Sequence, residues 1–257
     1  MIKAVFFDID GTLISFKTHK VPEDALQALK KLQERGIRIF VSTGRGRDEL
    51  TELSDISFDG YITLNGQFCC TQSELIYENT LDREDLKTLW ELQKKNPFPC
   101  GFTTDHGKFF NFRNSLVDEI HELTHNEGHP VGDCTHIVDE KVYQVIAFVS
   151  DEEEKALLRQ LPNCISARWH PYFADISPKG GTKQLGMQKF LDHYGIDRSE
   201  TMAFGDGGND LPMIEFAQIG IAMENGVEEL KTAADYITGD PDEHGIVNAL
   251  RHYRLID

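Results

Sequence analysis

What most constrains this chain is a pattern used at both of its ends: a short apolar strand, a polar cluster, an amphipathic helix, then another strand. Near the start, Ile2 to Phe7 reads as a buried β-branched and aromatic strand. Pro22 then opens a helix with Ala25, Leu26, Leu29 and Leu32 on one face, and Gly36 stops it. The strand Ile37 to Val41, a polar Ser-Thr-Gly-Arg turn, a short helix and the strand Tyr61 to Leu64 follow, ending before Asn65-Gly66. The pattern returns with a helix over Thr182 to Tyr194, the strand Thr201 to Phe204, the stretch GDGGND, a helix, the strand Ile219 to Ala222 and another helix. Such alternation implies a parallel sheet with right-handed crossovers. From Asp82 to Pro178 the pattern changes to helices with paired short strands, at Phe98 to Thr103, Phe109 to Phe112, Val142 to Val149 and Ile165 to Trp169. The expectation is an α/β core built from residues 1–81 and 179–257, interrupted by an α+β domain over 82–178.

The first strand runs into FDIDGT, two aspartates one residue apart. Asp8 and Asp10 would repel each other at a buried strand end, so they need a partner, or else the strand simply ends in a solvated polar turn. The other polar clusters decide the matter. Ser42-Thr43-Gly44-Arg45, and Asp206 with Asn209-Asp210, each follow a core strand directly. In an open parallel sheet the carboxyl ends of the strands share one edge, where ligands bind. Asp8, Asp10 and Asp206 would therefore meet there as an all-oxygen environment suited to Mg2+, which favours a few carboxylates plus water and substrate phosphate.

Charge narrows the partners. The chain has 257 residues, with 43 acidic against 26 basic and a formal charge of -17, which argues against a nucleic-acid or anionic-membrane surface. A small anion remains admissible wherever local cations or a metal reverse the potential. No apolar run reaches the roughly 18 residues of a membrane helix. MIKAVFFDID lacks the features of a signal peptide. Five cysteines, with Cys69 and Cys70 adjacent, read as reduced thiols, and a cytoplasmic location is expected.

These residues resemble the haloacid dehalogenase superfamily, and within it the Cof-like sugar phosphatases with an α/β cap inserted between the second and third motifs. Four motifs stand in order across nearly the whole chain: DxDGT from Asp8 to Thr12, the threonine of STGR at Thr43, the lysine of GGTKQ at Lys183, and GDxxND from Gly205 to Asp210. The resemblance implies a Rossmann-like, doubly wound parallel sheet with an inserted α+β cap that sets substrate specificity. It implies Asp8 as the nucleophile that forms an aspartyl-phosphate, and Asp10 as the acid that protonates the leaving alcohol and then the base that activates water. Dehalogenases of the superfamily lack the second aspartate, so its presence points to phosphoryl chemistry. By the same resemblance Thr43, Gly44, Lys183 and Asn209 bind phosphate. Mg2+ is held by Asp8, Asp206 and Asp10, the last through its carbonyl, while Asp210 supports metal waters and orients Lys183. Lys179 is the competing cation, but its place before Gly180-Gly181 suits a linker.

The implied function is a Mg2+-dependent phosphatase of small phosphorylated metabolites, sugar (hexose) phosphates above all. A phosphomutase of the same superfamily and a non-catalytic phosphosugar sensor are the alternatives. A monomer or weak dimer is expected, with a small phosphorylated molecule as partner and neither nucleic acid nor membrane. Within the cap, Arg168, Trp169 and His170 could face a sugar, the other reading being a packed strand with an exposed arginine. Phe16 to Lys20 form a short flap that could meet substrate. HELTH at 121 to 125 matches the zinc-protease pattern HExxH, but His129 stands two residues short of the third ligand position, and His121 and His125 read as a solvated helix face.

Overall fold

A computed structural model describes residues 1–123 and 128–257, with Leu123 and Trp169 described by backbone alone. In chain order the elements begin β1 (Ala4–Phe7), α1 (Glu23–Glu34), β2 (Arg38–Ser42), β3 (Gly60–Thr63), β4 (Phe68–Cys70) and β5 (Leu75–Glu78). There follow α2 (Arg83–Lys95), β6 (Cys100–Thr104), β7 (Gly107–Phe110), α3 (Ser115–Leu123), β8 (Val142–Ala147), α4 (Asp151–Leu158), β9 (Cys164–His170) and β10 (Phe173–Pro178). The chain closes with α5 (Lys183–Tyr194), β11 (Thr201–Gly205), α6 (Leu211–Phe216), β12 (Ile219–Met223), α7 (Glu228–Ala233), β13 (Tyr236–Thr238) and α8 (Gly245–His252). These divide into two units, Met1–Glu78 with Gly181–Asp257, and Asn79–Gly180. No described helix is long and apolar enough to cross a membrane.

The first unit carries a sheet in the order β13-β12-β11-β1-β2-β3-β4-β5. From β13 to β3 all pairings are parallel, and β4 and β5 add antiparallel at one edge. The parallel sheet is the expected one; the antiparallel edge is not visible in the sequence. β1 is apolar throughout because both of its faces are covered. Val5 and Phe7 join Leu29 and Leu32 of α1 and Leu250 of α8, whereas Ala4 and Phe6 join Met187 and Phe190 of α5 and Met213 of α6. Phe6 stacks on Phe40 at 4.6 Å, and Phe7 on Phe204 at 5.0 Å. The short helix expected after the Ser-Thr-Gly-Arg turn is instead two 3-10 turns, Arg47–Glu49 and Thr51–Leu53.

The second unit is α+β, with an antiparallel sheet in the order β7-β6-β8-β10-β9. One core gathers Leu86 and Leu89 of α2 and Leu157 of α4 against Phe102, Val145 and Ile176. A smaller one sets Val117 and Ile120 of α3 against Phe110, Phe148 and Phe173. Its helices start on local signals: Asp82 accepts the amides of Glu84 and Asp85, and Ser150 and Glu153 form a reciprocal capping box on α4.

Candidate active site

Parallel pairing of β12, β11, β1, β2 and β3 brings five strand ends together. Phe7 is level with Phe204 on one side and Val41 on the other, so Asp8 leaves the sheet between the polar turns of β11 and β2. The Asp8 amide still donates to the Phe204 carbonyl at 3.0 Å, which holds the side chain at the strand end. Past Asp8 the chain reverses tightly. The Ile14 amide reaches the Ile9 carbonyl at 2.7 Å, the Gly11 amide reaches Ile14 at 2.9 Å, and Gly11 has φ +80°. A side chain there would meet Asp206 Oδ2 at 2.3 Å as well as the wrong backbone region.

Lys183, the first residue of α5, is fully buried and its Nζ lies 2.6 Å from both Asp8 Oδ1 and Asp210 Oδ1. Thr182 caps that helix by accepting the Leu185 amide at 3.0 Å. The second oxygen of Asp210 accepts the amides of Asp206 and Gly207 at 3.0 and 2.9 Å. Asp210 thereby accepts three hydrogen bonds, one on Oδ1 and two on Oδ2, and it holds Lys183 and shapes the turn. Asp206 is steadied by Asn225, whose Nδ2 donates to Asp206 Oδ2 and to the Gly11 carbonyl, both at 3.0 Å. Asn209 donates to Asn65 Oδ1 at 2.9 Å, and Asn65 adopts left-handed φ +54° after β3. Thr43 is buried and accepts the Arg45 amide on its hydroxyl at 3.1 Å, leaving the hydroxyl proton to donate. Gly44 runs close against the Asn65 side chain.

Electrostatically the cluster is short of positive charge. Asp8, Asp206 and Asp210 have carboxylate oxygens within 4.8 Å of one another, with Lys183 as the buried cation among them. Burial, and then the neighbouring Asp210, push the Asp8 carboxyl up to about 8, with Lys183 pulling the other way. Burial and Asp210 likewise raise Asp206 to about 7. Burial opposes the charge on Lys183, but Asp210 and Asp8 outweigh it and raise its pKa. A divalent cation with oxygen ligands fits this surplus of negative charge, and Asp8 and Asp206, which accept one hydrogen bond each against three for Asp210, have more lone pairs to offer it.

The Asp10 side chain departs from the sequence expectation. Its carboxylate lies outside the trio and pairs with Arg45 in fork geometry, Oδ1 to Nη2 at 2.5 Å and Oδ2 to Nε at 2.9 Å. Arg45 is itself anchored by the Glu49 carbonyl and Glu52 at 3.2 Å each. The sequence alone gives Arg45 no role, marks Asn65 only as the residue that ends the third strand, and does not single out Asn225. The arginine closing the Ser-Thr-Gly-Arg turn was a visible signal, whereas nothing local marks Asn225.

In the second unit, Arg168 is fastened to its own fold. Nε contacts Glu154 on α4 at 2.5 Å, and its other nitrogens reach the carbonyls of Val149 at 2.8 Å, Pro171 at 2.9 Å and His170 at 3.3 Å. The packed-strand reading holds for it, though the arginine is half-buried rather than exposed. His170 stacks on Phe173 at 5.3 Å. The Trp169 side chain lies outside the described residues. Lys179 Nζ bonds the Pro162 carbonyl. His121 is buried edge-on against Phe110 at 5.3 Å, which corrects the expected solvated face: it shares a helical stripe with Val117 and Ile120. His125 lies outside the described residues. Arg168→Ala is expected to destabilise the protein by about 3 kcal/mol, because Glu154 would stay buried without its cation. Urea denaturation measures this, and unchanged stability would contradict the fastening role.

The model of the haloacid dehalogenase-like hydrolases matches residues 5–250. A sugar phosphatase of subclass IIB in the same superfamily, BT4131, is 39% identical over 99% of this chain and 100% of its own, with a TM-score of 0.86. The phosphatase BT1666 from Bacteroides thetaiotaomicron is 35% identical over 100% of this chain and 96% of its own, with a TM-score of 0.90. YkrA from Bacillus subtilis, whose name marks it as a candidate phosphatase, is 32% identical over 99% of this chain and 98% of its own.

Proposed function

The chain belongs to the haloacid dehalogenase-like hydrolases, and from that membership and its site we propose that it is a Mg2+-dependent phosphatase of small phosphorylated metabolites, sugar phosphates foremost. The observation that carries this reading is Asp8, a carboxylate at the sheet edge with one oxygen on buried Lys183 at 2.6 Å. Its other oxygen attacks phosphorus, forming the aspartyl-phosphate O–P bond as the bond to the substrate oxygen breaks. Asp10, in its protonated form, gives the leaving oxygen a proton and later takes one from the water that cleaves the intermediate. The structure shows it as a carboxylate forked onto Arg45, a pairing it leaves in order to carry that proton. Lys183, the Thr43 hydroxyl, the Gly44 amide and Asn209 surround the phosphoryl oxygens with donors. Asp8 and Asp206, with the Asp10 carbonyl, would hold Mg2+, whose charge neutralises phosphoryl oxygens when bound. The second unit serves as the cap that recognises the leaving group. The reading of the substrate as a sugar phosphate draws on the resemblance to BT4131.

Phosphate release across a panel of metabolite phosphates tests this reading. Turnover that requires a bisphosphate activator and frees no phosphate would make the protein a mutase, and none at all would make it a sensor.

The metal has a readout apart from activity. Asp8 has an ordinary value of 3.8, raised to about 8 in the folded protein. The folded state therefore holds a proton that the unfolded chain has released, and metal-free stability falls as pH rises from about 4 through about 8. Mg2+ competes for the same oxygen, so the rise in Tm on adding Mg2+ should be larger at pH 8 than at pH 5. An equal or reversed shift would remove the cluster as the metal site. A chelator should abolish activity and Mg2+ restore it, with Zn2+ failing to substitute.

A further inference from the structure

Phe16 is 61% exposed, and among the described residues only Met1 of the large apolar side chains is more so. A single exposed apolar residue is ordinary on a protein surface. Two observations separate this one from that background. The first is its place. A Cβ built on Gly11 would stand 2.6 Å from Phe16 Cε2, 2.3 Å from Asp206 Oδ2 and 2.9 Å from Asn225 Nδ2. The edge of the ring, the Asp206 carboxylate and the amide that steadies it thus converge over one point of the Asp8–Thr12 turn.

The second is its support. Ser15, buried, accepts the amides of Lys17 and Thr18 on its hydroxyl at 3.0 and 3.3 Å and donates to Asp242 at 2.8 Å. Lys17 Nζ adds Asp240 and Asp242 at 3.3 Å each. The backbone closes the loop, Ser15 amide to Lys20 carbonyl at 3.2 Å and His19 amide to Ser15 carbonyl at 2.8 Å. The residues on both sides of Phe16 are clamped while its ring is left in solvent. A loop this well fastened has the means to hold the ring still, and its packing supplies no reason for the ring to face outward.

We infer that Phe16 is a specificity-determining residue, the apolar wall in the first unit against which the carbon skeleton of the leaving group rests. The inference builds on the proposed phosphatase function. With the phosphoryl group beside Asp8 and Asp206, the ester oxygen and its first carbons must emerge past the rim of the turn that Phe16 occupies. An aromatic face there receives the C–H groups of a sugar ring, which are weakly positive against the negative π-face. Such a wall selects a ligand with an apolar face and is indifferent to inorganic phosphate.

The test is calorimetric titration of full-length protein with Mg2+, in the Asp8→Asn form so that nothing is turned over. Glucose 6-phosphate and inorganic phosphate are the two ligands, with and without Phe16→Ala. Glucose 6-phosphate should bind roughly 3- to 10-fold more weakly to the Phe16→Ala form, and inorganic phosphate within about twofold of its unaltered affinity. Phe16→Trp should restore the difference. Equal weakening of both ligands would make Phe16 a structural support, and no weakening of either would remove it from the site. Glucose 6-phosphate binding no tighter than inorganic phosphate in the parent form would also overturn the proposal, because no leaving-group contact would remain to assign. Failure of the phosphatase reading shows separately, as absent phosphate release by the wild type, and leaves this ratio of affinities measurable.

Discussion

Asp8→Asn is expected to lower phosphate release by roughly four orders of magnitude or more, on the scale of losing a nucleophile outright. The amide keeps the shape of the side chain and an oxygen for Lys183, but a neutral amide oxygen does not attack phosphorus. Stability should move in the opposite direction from activity. Burial first, and then the neighbouring Asp210 carboxylate, hold the Asp8 carboxyl up at about 8. Removing that charge relieves a repulsion, so the metal-free variant should melt above the wild type at pH 8, with the gain shrinking toward pH 5, where the native carboxyl is protonated. Phosphate-release assays and paired melting curves measure both. Substantial turnover by the variant would displace Asp8 as nucleophile, and a lower melting temperature at pH 8 would contradict the charge balance drawn for the cluster.

Lys183→Met should damage fold and function together. The ammonium has no exposure and bridges two carboxylates that are themselves almost fully buried. Replacing it with an apolar chain of similar length fills the space but strands the Asp210 charge and leaves Asp8 without its donor, at a cost of about 3–5 kcal/mol where a buried pair loses one partner. Mg2+ should recover part of this stability. Turnover should fall for every phosphorylated substrate alike, because all of them present the same phosphoryl oxygens. Lys179→Ala is the control, since that side chain bonds the Pro162 carbonyl in the other unit and should leave turnover near wild type. Denaturant titration and a substrate panel give the comparison. A Lys183 variant with wild-type stability, or one selective among substrates, would be incompatible with the geometry described.

Fold class and the catalytic edge were legible in the sequence for one reason. Apolar runs such as Val5-Phe6-Phe7 and Met202-Ala203-Phe204 are buried on both faces, and parallel pairing sends the residues that follow them to a common edge whatever the rest of the chain does. Asp8, Thr43 and Asp206 inherit their place from their own strands, and Lys183 takes its place from the start of α5. The edge strands β4 and β5 were not legible. They are as short as β1 but only partly buried, without its fully covered apolar run, and each is defined by its partner in the sheet.

Tertiary structure alone decided how the polar groups pair. Asp10 looks equivalent to Asp8 in sequence, yet one is held by Arg45 and the other by Lys183. For Asp210 the resemblance already implied a hold on Lys183, and the structure adds that its second oxygen takes two backbone amides. Arg168 turns to Glu154 of α4, and His121 turns inward to Phe110. Periodicity reports which face of a strand or helix is covered, so the sequence could locate these groups on their elements. An ion pair depends on distances of a few ångströms between segments far apart in the chain, and those distances exist only once the sheet has assembled.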